Sequence, residues 1–491
     1  MRVRRTLGRV PRAAYLCALV ALVNGIAWSL LTPPFHVPDE ISHVAYVQYL
    51  AETGKLPVSQ PGKPPYSPEE NALIGALNFY GVIGLAGNRP PLTPQASAPL
   101  HAAEAAHFSK VGPDAANATN NPPLYYALDS VPYLLSPSSK LIDRLVLMRL
   151  LSAVLAPLMV IVIFAFLREL FPRSPWIWTV GGLLAALEPM SGFLSGGVTP
   201  DGLLNLVSAA TILAAARCLR RGLTLRTGVV LGLVTAVGLL TKPAFYSLVP
   251  GVVVAILAGV LAARRRDELR AAARGAGAAV GAVAGVLAAY LVVTHTVLER
   301  VSGGSGLPGA PSSLVAVGGH PLTERLSYMW QLFLPRLPFM TAQFPGFPLK
   351  DLWNQQLLGR FGWIDYGYDP WVYDVFWWLS VAIGVAAVVA LVRSSGAVRR
   401  RIGEIVTYLV FVAGVVVVIA WADYSAKIQG ASLFEQGRYL LPLLALFAAL
   451  VGVALRGLGD RVGRPVGAAL VMAMLAASVF AQLMTIDRFY G

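Results

Sequence analysis

Apolar runs of roughly twenty residues recur along the chain, at about 13–31, 145–167, 176–196, 202–218, 227–241, 244–262, 275–297, 373–392, 403–422, 438–456 and 465–485. About twenty residues is what a helix needs to cross the hydrocarbon core of a bilayer. No water is available there for backbone N–H and C=O groups, so each crossing must be helical. Strand-like alternation is absent, which excludes an outer-membrane barrel. The pattern predicts an all-α integral membrane protein with about eleven transmembrane helices. Two long polar stretches interrupt it, at about 32–144 and 298–372. The first is rich in Pro, Asn and Ser and carries a helix-like piece near Ala98–Lys110. The second is Gly/Pro-rich at its start and aromatic later, with Trp330, Phe339, Phe344, Trp353, Phe361, Trp363, Tyr366 and Tyr368. Loops this long are usually functional or disordered, and such aromatic density argues against disorder. Pro122–Leu135 is apolar over only about fourteen residues, short for a span, and is expected on the outer side, lying in the interface.

The basic blocks sit between the runs: Arg2, Arg4, Arg5, Arg9 and Arg12 at the N-terminus, then Arg168/Arg173, Arg217–Arg226, Arg264–Arg274, Arg393–Arg401 and Arg456–Arg464. Placing every block in the cytoplasm is consistent with eleven crossings. That topology sends both long loops and the C-terminus to the extracytoplasmic side and makes the first run an uncleaved helix. No internal repeat of the transporter kind is visible.

With 56% hydrophobic and 13% charged residues, the composition agrees with the pattern. The net charge of +14 belongs to these short blocks, so nucleic-acid binding is not expected. Cys17 and Cys218 fall in or beside apolar segments, which leaves no disulfide framework and no thiolate metal set. P-loop, GxSxG and HExxH motifs are absent.

Candidate chemistry gathers at the outward turns. Pro38-Asp39-Glu40 follows the first run and suits a helix start, where the dipole favours anions. His43, four residues beyond Asp39, shares its face, with Tyr46 close to that face. This set reads equally as a general base or metal ligand and as an ordinary helix start with a solvated His. Asp201, in Thr199-Pro200-Asp201, stands on the same side of the membrane by topology. Asp39 and Asp201 together are candidates for a divalent cation (Mg, Mn or Ca) or for divided acid and base roles. Lys242 interrupts a long apolar stretch and needs either a partner, such as a lipid phosphate, or a snorkelling path to the interface. Gln436-Gly437-Arg438-Tyr439 opens the tenth run on the outer side, where a planar guanidinium suits a phosphate or pyrophosphate. The alternative is an interfacial Arg beside an anchoring Tyr. His101, Glu104 and His107 fan around a helix and lack a fourth ligand. The acceptor pattern Asn117-Ala118-Thr119 is too short to carry weight.

Together these pieces resemble the GT-C superfamily of membrane glycosyltransferases, which use polyprenyl-phosphate-linked sugars. Pro38-Asp39-Glu40 matches the acidic motif that opens the first exported loop. Asn121-Pro122-Pro123-Leu124-Tyr125-Tyr126 looks like a segment late in that loop, with Asn in place of His. Asp201 matches the acidic residue of the next exported turn, and Gln436–Tyr439 looks like a stretch from a bacterial branch. The resemblance implies a seven-helix catalytic module over 1–297, a second exported loop over 298–372 and a four-helix segment over 373–491. It implies sugar transfer, with inversion, from polyprenyl phosphate to a glycan, lipid or protein acceptor outside the plasma membrane. Asp39 would be the base, with Glu40 or His43 orienting it or the acceptor. Arg438, Lys242 and Tyr439 would hold the donor phosphate, and Asn121, Tyr125, Asp201 and Gln436 would line the pocket. A flippase or transporter of lipid-linked sugars, or a non-catalytic assembly partner, stands as the alternative.

Overall fold

The structure is a computed structural model and describes residues 10–57, 65–85, 87–91, 93–106, 108, 118–264, 267–296, 321–344, 349–429 and 436–491. It is an all-α membrane bundle in which each of the eleven apolar runs is helical over most of its length. The first run forms α1 (Arg12–Leu31), and the first loop folds as five helices, α2 (Glu40–Thr53), α3 (Pro68–Ala76), α4 (Phe79–Val82), α5 (Pro94–Ala105) and α6 (Leu124–Leu135). The bundle continues through α7 (Leu141–Leu170), α8 (Pro175–Leu187), α9 (Pro189–Ser195), α10 (Asp201–Arg221), α11 (Leu225–Leu239), α12 (Val249–Arg264) and α13 (Leu269–Thr296). The second loop holds α14 (Leu322–Phe333), α15 (Leu349–Leu358) and a two-stranded hairpin, β1 (Arg360–Phe361) and β2 (Tyr366–Gly367). Then come α16 (Pro370–Arg393), the short α17 (Ser395–Arg400), α18 (Ile402–Ile428), α19 (Leu444–Gly457) and α20 (Gly459–Tyr490). Short 3₁₀ segments, Pro243–Leu248 and Gly437–Leu443, lead into α12 and α19.

Among the described residues nine helices, counting those two 3₁₀ leads with α12 and α19, are long and apolar enough to cross a membrane. The pair α8/α9 makes a tenth span bent by 58°. The bend falls at Glu188-Pro189, where a proline removes a helix N–H. The Glu188 carboxylate accepts the N–H groups of Met190 and Ser191 and so caps the second half. The remaining run, α11, is apolar but only 15 residues long. It lies against α13 through Gly228 and Gly232, where any Cβ would run into the carbonyls of Gly275 and Ala279. Small residues one turn apart thus replace side-chain knobs by backbone contact, a common membrane packing device.

The expected helix near 98–110 is α5, Pro94–Ala105, started by the Thr93 side chain that accepts the Ala96 N–H. His107 and Lys110, in the rest of the expected piece, and the Asn117 acceptor site lie outside the described residues. Twelve residues make α6 about 18 Å long, too short to cross. It buries Tyr125, Tyr126, Asp129 and Tyr133 and leaves Leu128, Val131, Leu134 and Leu135 exposed. That split suits a helix lying in an interface.

Both loops and the chain end meet at one end of the bundle. Arg488, in the last turn of α20, pairs with Asp365 of the hairpin turn at 2.9 Å. It also donates to the carbonyls of Val82, Leu85 and Asn88 in the first loop.

Candidate functional site

The site is assembled around Glu40, which the structure turns inward. Its carboxylate takes a two-pronged ion pair from Arg149 of α7, Nε to Oε1 at 2.7 Å and Nη2 to Oε2 at 2.6 Å. It also accepts the Phe35 N–H and the Val198 N–H, both at 2.9 Å. Arg149 spends its other donors on the carbonyls of Ser29, Thr32 and Pro33, which end α1. Glu40 therefore locks four chain segments together and has no oxygen left for orienting Asp39 or an acceptor; its expected role is replaced by a structural one. A buried pair of this kind persists only when every lone pair and proton is matched, as here.

Fixing Glu40 inward aims its neighbour the other way. Asp39 sits just before α2 in the left-handed region (φ 62°), which few non-glycine residues adopt. Its side chain is 41% exposed while Glu40 is fully buried. Arg438, in the turn before α19, pairs with Asp39 through Nη2 and lies 3.5 Å from Asp201 Oδ2 through Nη1. Lys242, in the turn after α11, pairs with Asp201 Oδ1. Asp201 is the first residue of α10, where free N–H groups and the helix dipole favour a carboxylate. Two carboxylates and two cations from four separate segments thus meet at the loop end of the bundle. The Tyr439 ring completes the wall, 5.3 Å from the Arg438 guanidinium carbon and 5.8 Å from Lys242 Nζ. Gln436 starts this turn by accepting the Tyr439 N–H through its carbonyl.

Gly437 brings the second loop to the site. A Cβ there would stand 2.6 Å from Gln356 of α15, and the Gly437 N–H donates to Gln356 Oε1 at 2.7 Å. On the opposite wall, His43 Nδ1 lies 3.0 Å from the Tyr126 hydroxyl, which also receives Asn121 Nδ2 at 2.9 Å. Tyr126 stacks on Tyr46 with ring centroids 3.7 Å apart. Tyr125 does not face this pocket: its hydroxyl bonds Ser152 of α7 at 3.1 Å, and it backs Tyr126 edge to face.

Burial opposes charge on Asp39, but Arg438, helped by His43 and Lys242, outweighs it and holds the carboxyl below its usual range. Burial drives His43 down to about 4, with Lys242 and Arg438 acting in the same direction against Asp39 and Asp201. At neutral pH Asp39 is a carboxylate and His43 an uncharged imidazole.

A divalent cation fits this donor set poorly. Asp39 and Asp201 are already balanced by Arg438 and Lys242, so a metal would have to displace both. Among the described residues no group of three or more His, Cys, Asp and Glu side chains is arranged for a metal. His101 and Glu104 lie apart from the site, Glu104 pairing with Lys140 at 3.6 Å. The residues that sequence reasoning passed over are Arg149 and Gln356. Arg149 was legible as a lone charge inside an apolar run, which calls for a buried partner. Nothing in the pattern around Gln356 marks it.

The chain belongs to the family described as "Predicted membrane protein (DUF2142)", whose model matches residues 22–447. Comparison with curated proteins gives no match. Among solved structures, the chain is similar to an oligosaccharyltransferase of Archaeoglobus fulgidus in its apo form, at 13% identity and a TM-score of 0.43. It is similar to the same enzyme tethered by a disulfide to an acceptor peptide containing the NVT sequon, at 12% identity and a TM-score of 0.42. The two alignments cover 96% and 97% of this chain and 55% of the enzyme's length in each case. At such TM-scores the likeness carries no argument about activity, which must come from the site.

Proposed function

We propose that this member of the family is a membrane glycosyltransferase that moves a sugar from a polyprenyl-phosphate carrier to an acceptor hydroxyl, with inversion. The carrying observation is the meeting of Asp39, Asp201, Lys242 and Arg438 at the bundle end where both long loops fold. The opposite end holds Arg220, Arg221 and Arg401, and the tendency of positive loops to stay inside supports a reading with that end in the cytoplasm and the site on the outer face.

In this reading the acceptor attacks the anomeric carbon as the bond from that carbon to the phosphate oxygen breaks. The acceptor proton passes to Asp39, and the electron pair leaves with the polyprenyl phosphate, which gains one negative charge. Arg438 and Lys242 neutralise that charge, a fixed electrostatic stabilisation of the transition state. Tyr439 flanks both cations, and Asp201 keeps them in place. Because Arg438 holds Asp39 before substrate arrives, a donor phosphate that captures Arg438 frees the carboxylate and raises its basicity. The helices around the site would hold the prenyl tail. The rival carrier reading would rest on Glu188, a buried acid inside a broken span, but its carboxylate is spent on capping α9.

The test is transfer from a polyprenyl-phosphate sugar by the purified protein in proteoliposomes. Asp39→Asn is expected to lower kcat by about 10²–10⁴, the usual contribution of a general base. Full transfer by that variant removes the base, and counter-transport without transfer decides for a carrier.

A further inference from the structure

We infer that His43 is a neutral hydrogen-bond donor, presenting Nε2–H to an oxygen of the bound substrate, with its tautomer dictated by Asn121 and Tyr126. It is a positioning residue, and this inference rests on the transferase reading for the identity of the substrate.

The Asn121 amide nitrogen can only donate, so the Tyr126 hydroxyl oxygen accepts from it at 2.9 Å. The single Tyr126 hydroxyl proton then has one partner, His43 Nδ1 at 3.0 Å. A ring nitrogen that accepts carries no proton, so in the neutral imidazole the proton sits on Nε2. An imidazole held in this way has no free lone pair. It can neither take the acceptor proton nor ligate a metal, and this removes two of the roles its spacing from Asp39 suggested.

The chain of bonds is stiff enough to enforce the direction. Tyr126 is fully buried, stacked on Tyr46 at an interplanar angle of 14° and met edge-on by Tyr125 at 82°. Tyr125 is in turn tied to Ser152 of α7. The charged groups around His43 come from four elements. Asp39 precedes its own helix, Asp201 begins α10, Lys242 follows α11 and Arg438 precedes α19. Their charges nearly cancel, so burial decides and the ring stays uncharged down to about pH 4. His43 therefore offers a donor whose charge does not change during the reaction, while Asp39 beside it takes the proton.

Solution ¹⁵N NMR of the full chain in nanodiscs, labelled at its six histidines, reads this directly. His43 is assigned from the signal lost in His43→Gln. The expected spectrum shows the Nε2–H tautomer with no titration between pH 8 and 5.5. In Tyr126→Phe the tautomers mix, while the unchanged burial keeps the ring neutral over the same range. An Nδ1–H tautomer, or a protonated ring at pH 7, overturns the assignment. A kinetic arm reads the substrate contact. His43→Leu is expected to lower kcat/KM about tenfold, one ordinary hydrogen bond, and Gln, which keeps a side-chain N–H, to restore most of it. Equal losses in both variants overturn the donor role. If the wild-type protein transfers no sugar, the transferase reading falls, and the spectrum still judges the tautomer by itself.

Discussion

Helix α10 has a charged cluster at each end, and the two are built differently. Its 21 residues span about 30 Å, roughly one hydrocarbon thickness. At its far end Arg220 pairs with Glu404 at 2.7 Å and donates to the carbonyls of Glu169 and Leu170, which close α7. Arg221 pairs with Glu169, and Arg401 and Tyr408 complete the coordination of Glu404. Arg220 and Arg221 lie in the last turn of α10, where a helix C-terminus already attracts cations. At the near end, Asp201 and Arg438 are more deeply buried, yet Asp201 Oδ2 and Arg438 Nε lack hydrogen bonds and Asp39 is 41% exposed. At the far end Glu404 and Glu169 are enclosed among guanidinium groups, their side chains only 6% and 10% exposed, and acids held in this way tie helices together. A cluster with one exposed carboxylate can exchange a partner for a substrate.

Arg149 tests that distinction most severely, because it lies at the site end but is bonded like a staple. Arg149→Leu strands Glu40 in a fully buried position and is expected to destabilise the protein by about 3–5 kcal/mol. Thermal unfolding of the detergent-solubilised protein should show it. An unchanged melting temperature would mean that the staple is not one. Arg438→Ala is expected to cut kcat by about 10²–10³, the usual loss of one fixed transition-state charge contact, with Arg438→Lys intermediate. A drop of less than threefold would make the two ends of α10 equivalent.

Glu404→Gln should do the reverse: a loss of about 1.5–3 kcal/mol in stability, the range for hydrogen bonds to a charged group, with kcat unchanged. A further effect concerns pH. His43 has its pKa lowered from 6.5 to about 4, so on acidification the unfolded chain takes a proton that the folded one refuses. Stability should therefore fall as pH drops from about 6.5 to about 4, and His43→Gln should remove that part of the slope. Asp39, with its pKa below the ordinary 3.8, loses its contribution only at still lower pH. Melting temperatures that rise on acidification across this window would contradict the burial of a neutral His43.

Much of the site was legible because membrane topology is a one-dimensional property. Apolar runs and basic blocks put Asp39, Asp201, Lys242 and Arg438 at outward turns, and the structure brings these four together. What spacing alone left open was which of Asp39 and Glu40 turns toward the pocket. Adjacent carboxylates look alike in sequence, and only the φ of 62° at Asp39 and the reach of Arg149 decide which one faces the pocket. Tyr125 and Tyr126 form a similar pair, one tied to α7 and the other to His43.

By itself, the amino-acid order determined that the chain enters the bilayer repeatedly as helices, because burying a backbone in lipid leaves no other way to satisfy its polar groups. It also determined which turns share a side, since positive blocks resist translocation. The tertiary structure decided which charges neutralise one another, pairing Arg438 with Asp39 across most of the chain. Such pairing depends on distance and burial, which enter no local pattern; a side chain's neighbours are fixed by the packing of helices far apart in sequence.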